Sequence, residues 1–251
     1  MKIAYASDLH LDFHLDGGEE FIRTLDIPDC DLFVIAGDLS QADHWRWKQN
    51  VKEICNKTKQ VLYVLGNHCY YSSTITEVDC LAHKLPEEVP NLIVASRAKV
   101  LTNKDIECLG EMSLLAGTMW FQDFPDQDQY KQYLSDFTYI SDIEPEIYRR
   151  NTRFDILLHG IKDEPSIVVS HHMPSYCSVN PKYRASAINR FFVGAEFFDA
   201  IKDSKIKCWI AGHGHDQVSY EIGNTKIVAN PLGYPNEISV NWAVKVIDID
   251  V

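Results

Sequence analysis

Apolar residues fall along this chain in two alternating patterns. Five short runs are apolar throughout: Ile3 to Ala6, Leu32 to Ala36, Val61 to Leu65, Ile167 to Val169 and Cys208 to Ala211. Continuous runs of this length predict strands buried on both faces, as in a parallel sheet covered by helices. Between the second and third runs, Gln41 to Lys59 sets Trp45, Val51, Ile54 and Cys55 at helical spacing, a crossover of the kind parallel strands require. The middle of the chain predicts more strands, at Leu92 to Ala95, Lys99 to Thr102, Ile106 to Leu109 and Ser113 to Ala116, with Asn103-Lys104 as a turn. Gln122 to Gln129 is acidic and turn-rich, a surface loop. Ser141 to Glu144 has the spacing of a capping box before Pro145, and Ile143, Ile147, Phe154, Leu158 and Ile161 then predict a long amphipathic helix. Val218 to Ile222 and Lys226 to Ala229 flank Gly223-Asn224-Thr225 as a hairpin, and Val240 to Ile249 predicts a final strand. The alternation makes an α/β chain, and no linker-like stretch divides residues 1–251, which read as one domain.

Composition narrows the function. Hydrophobic residues make up 45% and charged residues 24%, the balance of an ordinary globular protein, which excludes disorder and disulfide miniproteins. The 36 acids outnumber the 24 Lys and Arg for a formal charge of −12. That field repels polyanions, so non-specific nucleic-acid binding is not expected, although a nucleic acid held locally stays open as a substrate. Asp8 interrupts any apolar leader, and no run of uncharged apolar residues is long enough to span a bilayer, so a cytoplasmic protein without membrane contact is expected. The seven cysteines are odd in number and scattered, which suggests neither a disulfide framework nor a thiolate zinc site. Oligomeric state is left open.

The chemistry sits at the strand ends. The five buried runs are followed in turn by Asp8-Leu9-His10, Gly37-Asp38, Gly66-Asn67-His68, Ser170-His171-His172 and Gly212-His213-Gly214-His215. Each run thus delivers a carboxylate, an amide or an imidazole. In α/β sheets ligands gather beyond the carboxyl ends of parallel strands, where these groups would form one cluster. Asp8 with His10, and His213 with His215, are two residues apart and share a face in extended backbone. Seven candidate ligands are too many for one tetrahedral ion and about right for two adjacent ions. Nitrogen and oxygen donors without thiolate favour manganese, iron, zinc or cobalt over calcium or an iron–sulfur cluster, and geometry does not choose among the four.

This ordered set resembles the signature of the calcineurin-like metallophosphoesterases, and Asn230-Pro231-Leu232-Gly233-Tyr234 is similar to the tail of their small bacterial and phage-type members. The resemblance implies a four-layer α/β/β/α sandwich, two mixed sheets flanked by helices, with the metals at one edge. By the family pattern Asp8, His10 and His215 would hold one divalent ion and Asn67, His171 and His213 the other, with Asp38 bridging them. His171 is assigned over His172 because the family ligand directly follows the small polar residue that ends the strand.

A phosphate ester beside two such ions would be attacked by a hydroxide bridging them. His68, next to Asn67, would protonate or stabilise the leaving oxygen. An acidic residue usually follows Gly-Asn-His in the family; this chain has Cys69. A carboxylate there would orient His68, so its loss would weaken acid catalysis or shift the pH optimum. His172, Tyr70 and Arg190 are candidate substrate contacts, and Tyr71, Tyr183, Arg184 and Tyr234 lie in segments expected near the site. The expected substrate is a phosphodiester or small phosphomonoester. A nuclease acting on nucleic-acid ends and a non-catalytic scaffold that binds a protein partner are the competing readings.

Overall fold

The computed structural model describes residues 1–250. Its strands are β1 (Lys2–Ala6), β2 (Leu32–Ala36), β3 (Val61–Val64), β4 (Leu92–Ala95), β5 (Lys99–Leu101) and β6 (Ser113–Gly117), then β7 (Ser166–Ser170), β8 (Ile206–Ala211), β9 (Val218–Ile222), β10 (Thr225–Ala229) and β11 (Lys245–Asp248). The helices are α1 (Glu19–Thr24), α2 (Trp47–Cys55), α3 (Ile75–Glu88), α4 (Asp128–Lys131), α5 (Asp136–Tyr139), α6 (Glu146–Ile161) and α7 (Phe198–Lys202).

Two mixed sheets result. The first has the order β11-β1-β2-β3-β4 and the second β5-β6-β7-β8-β10-β9. In the first, β1 to β4 are parallel, so each step needs a crossover, and α1, α2 and α3 supply them. β11 pairs antiparallel with β1 at the edge of the first sheet; in the second, β6, β7, β8 and β10 are parallel, while β5 and β9 pair antiparallel with their neighbours.

Strand alternation sorts the side chains into three apolar layers. Ile3, Leu32, Val34 and Leu62 of the first sheet meet Leu114, Ile167, Val169 and Ile210 of the second. Ala4, Phe33, Ile35 and Tyr63 point the other way, onto Trp47 and Val51 of α2 and Val78 and Ala82 of α3. Leu115, Val168 and Trp209 leave the second sheet for Phe154 and Leu158 of α6 and Ile201 of α7. These layers make the α/β/β/α sandwich, and runs apolar at every position are what a strand with both faces covered demands.

Several expected elements change. The crossover helix begins at Trp47, which is fully buried, whereas Trp45 is 73% exposed. Helix α3, unforeseen, is started by a capping box between Thr74 and Glu77. The capping spacing at Ser141 to Glu144 is not used by α6, which begins after Pro145 with no side-chain cap hydrogen bond among the described residues. Asp142 instead accepts hydrogen bonds from the Ile75 and Thr76 amides at the start of α3. Ile106 to Leu109 is a single 3-10 turn, not a strand; its buried Ile106 and Leu109 plug the core from a loop. Of Val240 to Ile249 only Lys245–Asp248 is strand, since Val240 lies in solvent. The hairpin turn is Gly223-Asn224, with Thr225 the first residue of β10.

At one end the sheets are joined. Ser7, just past β1, forms a parallel bridge to Pro231, just past β10; its amide donates to the Asn230 carbonyl at 3.1 Å and its carbonyl accepts from Leu232 at 3.0 Å. The carboxyl ends of both sets of parallel strands therefore open onto one edge. No described helix is long and apolar enough to cross a membrane.

Leu62, fully buried between the sheets, tests the packing. Leu62→Ala is expected to lower the free energy of unfolding by about 2–5 kcal/mol, read from denaturant titration.

Candidate metal centre

Three of the five strands, β1, β2 and β8, leave their sheets by strained turns. Asp8, His10, Asp38, His213 and His215 all have positive φ, between 44° and 67°. Such backbone costs a non-glycine residue about 1–3 kcal/mol and persists only where surrounding structure enforces it. Here the turns hold one another: Asp8 and His10 donate their amides to Gly37 and Asp38, and Gly212 donates to His171, all at 2.9–3.0 Å. The glycines are steric necessities. A Cβ on Gly37, whose φ is +96°, would overlap the His171 imidazole, and one on Gly66 would overlap the Asp38 carboxylate.

The donors meet in adjoining groups. One comprises Asp8, His10 and His215, another Asp38, His171 and His213, and a third His10, Asp38 and His68; within each group the donor atoms lie within 4.8 Å of one another. The Nε2 atoms of His10 and His215 face each other at 3.1 Å, and His171 Nε2 is 2.9 Å from Asn67 Oδ1. The seven residues expected as ligands thus converge, drawn from both sheets, and Asp38 belongs to two of the groups.

Neighbouring groups fix which atoms face inward. His171 Nδ1 lies 2.9 Å from the Ala36 carbonyl and His215 Nδ1 lies 2.8 Å from Glu237 Oε2, which leaves each Nε2 for the centre. Asn67 donates its amide nitrogen to Asp136 Oδ1 at 2.8 Å, so its oxygen turns inward, and Tyr71 donates to the same carboxylate oxygen at 2.7 Å. Asp38 Oδ1 accepts the His68 amide at 2.9 Å. Its Oδ2 is 3.2 Å from His171 Nε2 but out of line for a hydrogen bond, and has no hydrogen-bond partner among the described residues.

Electrostatics suit cations. Burial works against ionisation of Asp38, but His171, His68 and His10 outweigh it and hold the carboxyl well below the usual range. Burial drives His10 and His213 well below the ordinary imidazole value, so both offer neutral lone pairs. Burial lowers His171 too, yet the Asp38 carboxylate prevails and takes it to about 9. In that pair a proton competes for the position a cation would take. Buried carboxylates, neutral imidazoles, an inward amide oxygen and an orphaned carboxylate oxygen fit two divalent ions bound through nitrogen and oxygen.

The remaining expected residues divide. His68 is half-buried on the 3-10 turn His68–Tyr70, its ring stacked on Tyr71 at 4.2 Å and its Nε2 3.1 Å from the Tyr234 hydroxyl. Tyr71, Tyr183 and Tyr234 line a cavity of about 410 Å³ that opens from Asp38, Asn67 and His68. Tyr70, expected near substrate, is instead fully buried, its hydroxyl donating to Asp79 and contacted by Arg150, because the turn aims it into the core. Arg190 is exposed and lies over the Phe124 ring at 5.1 Å, away from the cavity walls. His172 is buried behind His213, ring centroids 4.4 Å apart, with Nδ1 at the Thr118 carbonyl; burial takes it down to about 3, so it is a neutral packing neighbour rather than a group facing substrate.

Cys69 also points away from His68, its sulfur 3.1 Å from the Tyr63 hydroxyl. The partner of His68 comes from Tyr234 instead. Glu237 and Asp136 had escaped the sequence analysis. Glu237 lies three residues beyond the Tyr234 that ends the tail motif; Asp136 lies in a stretch without a motif, and only the fold brings it under Asn67.

Two measurements follow from these contacts. Asp136→Ala frees the Asn67 amide to turn and is expected to weaken manganese binding about 10–100-fold, seen by calorimetric titration. Burial pushes the Cys69 thiol up to about 12, whereas Cys80 and Cys177 are exposed. Iodoacetamide on the native protein at neutral pH should therefore label Cys80 and Cys177 and spare Cys69 by peptide mass spectrometry.

Comparison with known proteins places this arrangement. No curated protein matches the chain by sequence. Among solved structures it is similar to the phosphopantetheinyl hydrolase of Mycobacterium tuberculosis, with a TM-score of 0.73 at 16% identity over 99% of this chain and 96% of that one. It is also similar to the protein TT1561 of Thermus thermophilus, with a TM-score of 0.56 at 16% identity over 92% of this chain and 88% of that one. At such identities the likeness is one of fold. The sequence pattern of the calcineurin-like phosphoesterases matches residues 1–217, a stretch that closes two residues after His215 and so holds all seven converging donors. The chain therefore belongs to the calcineurin-like phosphoesterase family.

Proposed function

We propose that this chain hydrolyses a phosphodiester or small phosphomonoester with the help of two divalent ions, manganese foremost and iron, zinc or cobalt as alternatives. The observation that carries the reading is the meeting of Asp8, His10, Asp38, Asn67, His171, His213 and His215 at one edge of the sandwich. Asp8, His10 and His215 would hold one ion, Asn67, His171 and His213 the other, and Asp38 both. Such ions supply Lewis acidity toward a phosphoryl oxygen and toward water.

The chain's own groups do the rest. Asp136 and Glu237 keep Asn67 and His215 turned inward, so the ligand geometry is set before substrate arrives. His68 stands at the cavity mouth, braced by the Tyr71 stack and the Tyr234 hydroxyl, where it can give a proton to a departing oxygen. The competing readings lack comparable support. A scaffold has no use for a complete donor set, and the acidic chain lacks the cationic surface that holds a polyanion for a nuclease. Seven free cysteines among the described residues favour a reducing, cytoplasmic setting for what we read as one domain.

The test is hydrolysis of bis-p-nitrophenyl phosphate with added manganese. Turnover should vanish on chelation and return with the ion. Asp38→Asn is expected to reduce it to background and His68→Ala to lower kcat by about 10²–10⁴-fold. A wild-type protein with no manganese-stimulated turnover would sink the proposal.

A further inference from the structure

Two hollows meet at His68. The first, the cavity of about 410 Å³, is lined by Asp38 and Asn67 and by the apolar side chains of Leu134, Val179, Ile188, Phe191 and Phe192, the last stacked on His213 at 4.6 Å. The second is an open groove walled by Phe13, Tyr71, Tyr139 and Tyr234. His68, Tyr71, Ser135 and Tyr234 line both, so the His68–Tyr234 contact is the partition between them. Among the described residues neither is lined by Lys or Arg, and Asp136 and Asp216 add negative charge to the first.

Each hollow has its own chemistry. The apolar side of the cavity is aliphatic and aromatic and offers no cation to a second phosphate or a carboxylate, so it suits an uncharged apolar chain. The groove is walled by rings: Phe13 and Tyr234 meet edge to face at 4.9 Å, and Tyr139 lies 5.3 Å from Tyr71. Phe13 and Tyr139 are 48% and 52% exposed, apolar faces left open to stack on another ring. A phosphoryl group beside His68 has a hollow on either side, room for the two substituents of a diester where a monoester has one.

Resting on the phosphoesterase reading, we infer that the substrate is a phosphodiester with two unlike substituents, an uncharged aliphatic chain in the apolar cavity and a planar ring in the aromatic groove. Hydrolysis consumes one water. Its oxygen bonds to phosphorus, and the bond from phosphorus to the ring-bearing oxygen breaks with its electron pair left on that oxygen. His68 supplies the proton for it and is reprotonated at the expense of the water, giving an alkyl phosphate and the ring alcohol.

The experiment compares p-nitrophenyl methyl, butyl and octyl phosphates and p-nitrophenyl phosphate as substrates of the manganese-loaded enzyme. Each buried methylene contributes about fourfold at most. We expect kcat/KM to rise at least thirtyfold from methyl to octyl, and the octyl ester to exceed the monoester at least tenfold. Octylphosphonate should bind at least tenfold tighter than methylphosphonate by calorimetry. Ile188→Asp should flatten the chain-length series, whereas Tyr139→Ala should raise KM at least fivefold for methyl and octyl esters alike. Equal rates across the series, a faster monoester, equal phosphonate affinities, or variants without these effects would overturn the inference while the hydrolase reading stands. No turnover on any ester would overturn that reading, and the substrate assignment with it.

Discussion

One contact across the sandwich governs this molecule: the approach of His171, carried by the second sheet, to Ala36 and Asp38 of the first. Its Nδ1 meets the Ala36 carbonyl and its Nε2 comes 3.2 Å from the Asp38 carboxylate, both fully inside the protein. Two buried ionisable groups this close bind a proton or a cation, and either one ties the sheets together at that edge. The approach demands a bare backbone at Gly37, where any side chain would occupy the imidazole's place. The centre thus depends on how closely the two sheets can close.

Around that contact the strain is concentrated where the donors are. Five of the seven expected ligands take left-handed backbone, a conformation that short turns off buried strands impose and that amide-to-carbonyl bonds between neighbouring turns maintain. Asp136, Glu237 and the Ala36 carbonyl then settle which nitrogen or oxygen of Asn67, His215 and His171 is presented. Preorganisation of this kind places cost in folding rather than in binding. It also assigns work to segments with no motif: α5 contributes Asp136, and the tail contributes Tyr234 and Glu237.

The same tail accounts for the departure at Cys69. A side chain at 69 is directed at Tyr63 within the core, while His68 finds a hydroxyl in Tyr234 and a ring face in Tyr71. Loss of an acid at that position therefore leaves His68 supported from another direction. The support is uncharged, and it doubles as the wall between the two hollows that meet at His68.

Much of this was legible in the amino-acid order. The five apolar runs are strands, as runs this short and apolar at every position predict for a strand covered on both faces, and the residues after each run are the ones that converge. The start of α3 was written in the Thr74–Glu77 capping-box spacing, although that helix escaped the pattern of apolar runs; what the order could not show is that Asp142, more than sixty residues away, also accepts from its first amides. Nor could it place Tyr70 and His172, which sit beside expected ligands in sequence but point into the core and behind His213, or Arg190, which lies over Phe124. Local pattern fixes period and strand ends, since both follow from neighbours along the chain. The direction of a side chain beyond a turn, and the identity of an orienting partner such as Asp136, depend on what the opposite layer brings up against it, and that is settled only when the layers pack.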